Sequence, residues 1–163
     1  MNEGRVWRYG DDVNTDVIFP GKYTYQPLTP EEMATHAMED LDPDFAKEVK
    51  EGDVIVAGAN FGCGSSREQA ATCLKAAGVS AVIAKSFSRI FFRNAINNGL
   101  PVIELRKGLD GIKKGDTVQI DFENGAVIHE GNTYHFPALP VEVLGILEDG
   151  GLIPHVRKEL GKV

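Results

Sequence analysis

Between residues 53 and 104 the chain alternates twice between a run of four apolar residues and a stretch with helical period, and this restricts the fold more than any other feature. Val54, Ile55, Val56 and Ala57 lead through a glycine loop into an Ala-rich helical pattern over 67–77, with Gly78 as its C′ residue. Ala81, Val82, Ile83 and Ala84 read as a buried strand leading to a second helix over 87–98, with Ile90, Phe91 and Ile96 inward and Gly99 as its stop. Pro101, Val102, Ile103 and Glu104 form the next strand. Strands separated by helices of this length pair in parallel through crossovers. Ligands of such sheets collect at the carboxyl ends of strands, where the glycine loop lies.

The flanks are of another kind. Val6, Trp7, Arg8 and Tyr9 alternate as a short strand and run into Gly10-Asp11-Asp12-Val13-Asn14-Thr15-Asp16, a turn rich in acceptors. Asp16 opens the apolar segment Val17-Ile18-Phe19, which Pro20-Gly21 ends, and the side chains of Asn14, Thr15 and Asp16 suit bonds to their own backbone. Lys22, Tyr23, Thr24, Tyr25 and Gln26 make an exposed aromatic loop, suited to binding or to covering a core edge. Thr29-Pro30-Glu31-Glu32 is a helix start, and that helix carries Met33, Ala34, Ala37 and Met38 on one side to about Asp40. Another helical turn is expected around Phe45. Past residue 116, strands over 117–122, 126–129 and 133–136 make a β-meander with a two-residue hairpin signal at Asn124-Gly125. Helices over 139–148 and 152–160 follow, separated by Gly150-Gly151. The expected fold is a single α/β domain over residues 1–163, a partly parallel sheet with crossover helices plus an antiparallel meander and C-terminal helices.

The glycine loop carries the chemistry. Gly58, Gly62 and Gly64 let backbone amides crowd where a side chain would block them. Ser65 with Glu68, and Ser66 with Gln69, each have capping-box spacing, so the helix is expected to begin at one serine or the other. Such a helix start presents unpaired N–H groups and the positive end of the macrodipole, which suits an anion. Arg67 adds a planar fork of donors matched to a carboxylate or phosphate. No lysine stands where a Walker A loop needs one, and Arg67 occupies the position of the third glycine of a dinucleotide fingerprint. Two readings remain: serines that only cap and glycines that only turn the chain, or an oxyanion pocket containing two hydroxyls.

Composition removes other classes. A net charge of −7 argues against nucleic acid, which needs clustered Lys and Arg. No apolar run approaches the roughly 18 to 20 residues of a membrane span, and the amino terminus does not read as a signal peptide, so a cytoplasmic protein is expected. Cys63 and Cys73 are too few for a zinc or iron–sulfur site held by thiolates. Cys73 falls on the apolar face of its helix; Cys63, near a helix N-terminus, is expected to have a lowered pKa but lacks a base nearby and reads as loop lining. His36, His129, His135 and His155 show no metal spacing, so no metal is expected on this chain.

Four ordered segments within residues 5–105 resemble the swivel domain of the aconitase-type hydro-lyases. They are Gly62-x-Gly64-Ser65-Ser66-Arg67-Glu68-x-Ala70-Ala71, the Gly10 to Asp16 turn with Pro20, Lys85-Ser86-Phe87-x-Arg89-Ile90, and Arg93-Asn94 with Gly99-Leu100-Pro101. A free-standing chain starting at Met1 is similar to the small subunits of 3-isopropylmalate dehydratase and homoaconitase-like enzymes, whose large subunit supplies a [4Fe–4S] cluster. The resemblance implies isomerisation of a 2-hydroxy di-acid by loss and re-addition of water. It implies Ser65 as the base, Ser66 and Arg67 with the Gly64 backbone as holders of a substrate carboxylate, and Asp16 as an active-site carboxylate. It also implies a cluster-bearing large subunit as partner and the loop of Tyr23, Thr24 and Tyr25 as the contact for the variable group. No guanidinium stands at residues 24–26, so a second distal carboxylate would lack its partner, whereas an isopropyl or methyl group can pack on tyrosine faces. Isopropylmalate is the expected substrate, ahead of homoaconitate, citraconate/methylmalate and dimethylmalate. A non-catalytic carboxylate- or phosphate-binding module is the alternative of another class.

Overall fold

The computed structural model describes residues 2–161. Its strands are β1 (Asn2–Arg8), β2 (Val54–Ala57), β3 (Ala81–Ala84), β4 (Val102–Glu104), β5 (Thr117–Asp121), β6 (Ala126–His129) and β7 (Asn132–His135). They form one sheet in the order β4-β3-β2-β1-β5-β6-β7. The strands β4 to β1 are parallel and β5 to β7 antiparallel, as the two sequence patterns demand. The join is β1, which is longer than the expected 6–9. Its first half pairs with β5 antiparallel (Asn2 opposite Ile120) and its second half with β2 in parallel (Val6 opposite Val54).

Every residue of β2 and β3 is buried, because the sheet is covered on both faces. Trp7, Ile55, Ala57, Val82 and Ala84 face the crossover helices α4 (Glu68–Ala76) and α5 (Arg89–Asn97). Val6, Val54, Val56, Ala81 and Ile83 pack instead against Val118, Ile120 and Val127 of the meander. Each valine or isoleucine among them, removed from water, contributes about 1.5–3 kcal/mol. Asp53, buried at the start of β2, accepts from Trp7 Nε1 at 2.9 Å, Arg5 Nη2 at 3.1 Å and the Lys50 amide at 2.9 Å, so its charge is satisfied while it ties β1 to β2.

Several local expectations change. Residues expected as an apolar segment form a short helix, α1 (Thr15–Ile18), because the Asn14 side chain accepts from Val17 N and caps it. The capping box at Thr29 and Glu32 is present, but α2 (Pro30–Ala34) stops early, and turns carry Ala37 and Met38 into the core. The expected turn at Phe45 is α3 (Phe45–Glu48). Asn124-Gly125 is not a two-residue hairpin: Asp121 pairs with Ala126, leaving four residues, and Asp121 Oδ1 accepts from the Asn124 amide. The two-residue turn is Glu130-Gly131, both at positive φ, between His129 and Asn132. Ile90 is 48% exposed rather than inward, and Phe91, Ala95 and Ile96 make the buried side of α5. The C-terminal helices are α6 (Val141–Glu148) and α7 (Leu152–Leu160).

Candidate functional site

Three loops leave the carboxyl ends of β1, β2 and β3 side by side, and backbone pairing continues through them. Val13 O accepts from the Gly62 amide at 2.7 Å, Cys63 O from the Thr15 amide at 2.9 Å, and Phe61 O from the Ser88 amide at 3.0 Å. Gly62, at φ +80°, is required twice over, since a Cβ there would lie 2.3 Å from the Phe91 side chain. Phe61 and Phe91 meet edge to face at 5.2 Å beneath the loop and give it an apolar floor.

Beyond Gly64, at φ +90°, the chain bends at Ser65 and is extended at Arg67, and α4 begins at Glu68. The N-cap is therefore Arg67, without a side-chain cap bond, and neither serine caps the helix as the capping-box spacing had suggested. Ser65 and Ser66 are exposed, and their hydroxyls hold no hydrogen bond among the described residues. The backbone beneath them is fixed: Ser65 O accepts from Thr15 Oγ1 at 2.7 Å, and Thr15 is only 3% exposed.

Arg67 and Asp16, 51 positions apart in sequence, meet with Nη1 2.6 Å from Oδ1. The contact is close but off-axis, so the buried Nη1 is left without a directed hydrogen bond. Asp16 is largely exposed, which keeps the pair's contribution to stability to about 0–1 kcal/mol; its consequence is orientation. The guanidinium crosses Gly21, where a Cβ would stand 2.9 Å from Nη1 and 3.2 Å from Asp16 Oδ1.

Ser65, Ser66, Arg67 and Gly64 line a cleft of about 350 Å³ together with Thr15, Arg89, Ile90 and Asn94. The serines and arginine singled out in the sequence thus share one wall with two charged or polar residues of α5 that sequence reasoning left unassigned. The signal for Arg89 was its place just after the carboxyl end of β3 and at the first position of a helix with no acidic residue in its first turn. Tyr23, Thr24 and Tyr25 do not line this cleft. Tyr23 stacks on His36 at 3.8 Å between centroids, and Lys22 Nζ lies 5.2 Å from its ring, so it anchors the loop. Thr24 O accepts from Gln69 Nε2 on the first turn of α4, its hydroxyl is buried without a partner, and Tyr25 is 98% exposed.

Burial, and secondarily the Asp12 carboxylate, push the Cys63 thiol up, opposite to the lowering expected near a helix N-terminus, because the helix starts five residues later. Cys73 is fully buried, and burial raises its thiol strongly. These are the only two thiols in the sequence, and one is sealed in the core, so the donor set does not fit a [4Fe–4S] cluster. Asp116, His129 and Glu130 gather three possible ligand atoms within 4.8 Å, but His129 Nε2 already engages Asp116 Oδ2 at 2.8 Å, and that oxygen also accepts from the Lys113 amide. Among the described residues no helix is long and apolar enough to cross a membrane.

The family model of the aconitase C-terminal domain matches residues 12–108, a span that takes in Asp16, Ser65, Ser66, Arg67 and Arg89. The 3-isopropylmalate dehydratase small subunit of Heliobacterium modesticaldum is 50% identical over 161 residues, covering 98% of this chain and 96% of the relative. The chain belongs to the 3-isopropylmalate dehydratase small-subunit family. Small subunit 1 of Archaeoglobus fulgidus is 54% identical over 156 residues, 94% of this chain and 96% of that one. A crystal structure of a 3-isopropylmalate dehydratase chain from Methanocaldococcus jannaschii superposes with a TM-score of 0.89 at 48% identity, over 96% of this chain and 93% of the other. The small-subunit fold is therefore the one described above.

Proposed function

We propose that this chain, acting as one swivel-type domain, is the small subunit of a hydro-lyase that interconverts 2- and 3-isopropylmalate in leucine biosynthesis. The observation that carries it is the shared lining of free serine hydroxyls and a half-buried guanidinium, in a chain similar to such subunits over nearly its whole length. Arg67 and Ser66, with the amides after Gly64, hold a carboxylate of the substrate, and Asp16 fixes the direction of the guanidinium. Ser65 is the base. Its alkoxide takes the proton from the carbon next to that carboxylate, hydroxide leaves the neighbouring carbon, and a double bond forms; water then adds back with the hydroxyl on the other carbon. An alkoxide near neutral pH needs positive charge close by, and Arg67 with the α5 N-terminus and Arg89 supplies it. Negative charge that builds on the bound carboxylate during proton removal is held by the same guanidinium.

The cluster of the family has no donor set here and belongs, in this reading, to the large subunit that completes the site. Two free thiols support a reducing, cytoplasmic setting, and the acidic surface supports neither nucleic acid nor membrane as partner. Tyr23, Thr24 and Tyr25 sit on the loop bonded to the start of α4, and they meet the substrate's isopropyl group once the partner closes over the cleft.

The test mixes this chain with the cluster-bearing large subunit and follows 2-isopropylmalate, homoaconitate and methylmalate. Conversion of 2-isopropylmalate that drops by about a thousandfold or more in Ser65→Ala, with the complex still assembled, is the expected result. Unchanged turnover in that variant removes Ser65 as base. Tight carboxylate or phosphate binding by the chain alone, without turnover in the mixture, favours a binding module instead.

A further inference from the structure

Helix α5 turns an unsatisfied face outward at the mouth of the cleft. Arg89 and Arg93 lie one turn apart, both exposed, and neither has an ion-pair partner among the described residues. Ile90 stands beside Arg89 with about half its surface in water, on the rim of the cleft. Arg89 is also electrostatically misplaced for the isolated chain. It is the first residue of a helix with no acidic residue in its first turn, so the macrodipole opposes its charge. Arg93 does not line the cleft, so a small hydroxy acid bound there leaves it unused. A cationic patch with an aliphatic side chain in it, on a chain of net charge −7, is complementary to an acidic surface with an apolar centre.

We infer that Arg89, Ile90 and Arg93 form a docking surface for the large subunit, which meets it with carboxylates around an apolar patch at the edge of the shared site. This rests on the proposed function, since the partner is the subunit that completes the cleft. The surface is continuous with the cleft, so docking there brings the partner's reactive group against Ser65 and Arg67. The other exposed apolar stripe, Ile153, Val156 and Leu160 on α7, lies toward the far end of α5, where Gly151 abuts the Asn97 carbonyl, and serves as the control.

The experiment titrates the full chain against the holo large subunit without substrate, by calorimetry at low and high salt, with circular dichroism checking that each variant folds. The expected result is a Kd about tenfold or more weaker for the double variant Arg89→Glu/Arg93→Glu and for Ile90→Asp, with the penalty of the charge reversal shrinking as salt rises. Arg89→Gln/Arg93→Gln, a milder change, should weaken binding by a smaller factor, and Ser65→Ala should assemble like the unaltered chain. Wild-type Kd in the reversed variants, or loss of assembly in Ile153→Asp/Val156→Asp but not in the α5 variants, overturns the surface while leaving the proposed function standing. Failure of the unaltered chain to assemble overturns the proposed function and the surface with it.

Discussion

Replacing Gly21 by alanine should separate stability from activity. Its φ lies outside the left-handed range, so alanine takes the same backbone and the reduced freedom of the unfolded chain favours folding by about 0.4–1 kcal/mol. The new methyl would stand 2.9 Å from Nη1 and 3.2 Å from Nη2 of Arg67. Carbon and nitrogen at ordinary contact need about 3.4–3.5 Å, so the guanidinium must move by about 0.5 Å. The end of a long side chain yields that far cheaply, and the melting temperature is expected to stay within about 3 °C of the parent. The cost falls on the substrate clamp instead. A misplacement of about 1 Å is worth about a hundredfold in rate, so half of that predicts about a tenfold loss of kcat/KM. The assay is 2-isopropylmalate turnover by the assembled enzyme, alongside thermal unfolding of the isolated chain. In an Arg67→Lys background the same substitution should cost no more than about twofold, because the fork it displaces is gone. Full activity in Gly21→Ala, a clearly lower melting temperature, or an undiminished tenfold loss in the lysine background would each refute the reasoning.

Tyr25→Arg, at a fully exposed position, should fold normally and raise the homoaconitate to isopropylmalate ratio of kcat/KM by about tenfold or more, the worth of one charge-assisted hydrogen bond; no shift means the loop does not select. Cys63 should react with iodoacetamide at pH 8 more slowly than free cysteine, and Asp12→Asn should speed it; a rate above free cysteine contradicts the raised thiol. Hydrogen bonds hold three carboxyls below the ordinary 3.8: Asp116 through the Lys113 amide and then His129, Asp121 through the Asn124 side chain and then its amide, and Asp149 through His155 and then Lys158. Lowered carboxyls stabilise the fold above 3.8 and lose that contribution as pH falls through their folded values, so Asp149→Asn should destabilise at pH 7 and become neutral in strong acid. A penalty that persists under acid, read by denaturant unfolding at each pH, counts against the charge-based account.

What the sequence made legible is what depends on near neighbours in the chain. The four-residue apolar strands, the capping box at Thr29 and Glu32, and the stop at Gly78 all follow from local period and local bonds. The pairing of Arg67 with Asp16 does not, because it needs two loops held together by backbone bonds such as Thr15 to Cys63. Ile90 was misplaced because its helix begins at the cleft, where the face that would otherwise be core meets solvent. The helix starts later than the cap spacing of Ser65 and Ser66 predicts, because the Thr15 hydroxyl holds Ser65 O and the backbone is still extended at Arg67. At Gly62 a glycine reads the same whether it turns the chain or makes room for Phe91, and only the packed ring reveals that it does both.

The first strand has a consequence for how the protein is made. One flank of β1 waits for Val54 and the other for Thr117, so this strand is enclosed on its second edge only after β5, far along the chain, has been made. A ribosome must release Thr117 to Ile120 before Asn2 to Arg5 find their neighbours. Until then the backbone edge of Asn2 to Arg5 is open to other chains, and shielding of that edge during synthesis should govern the yield of soluble protein.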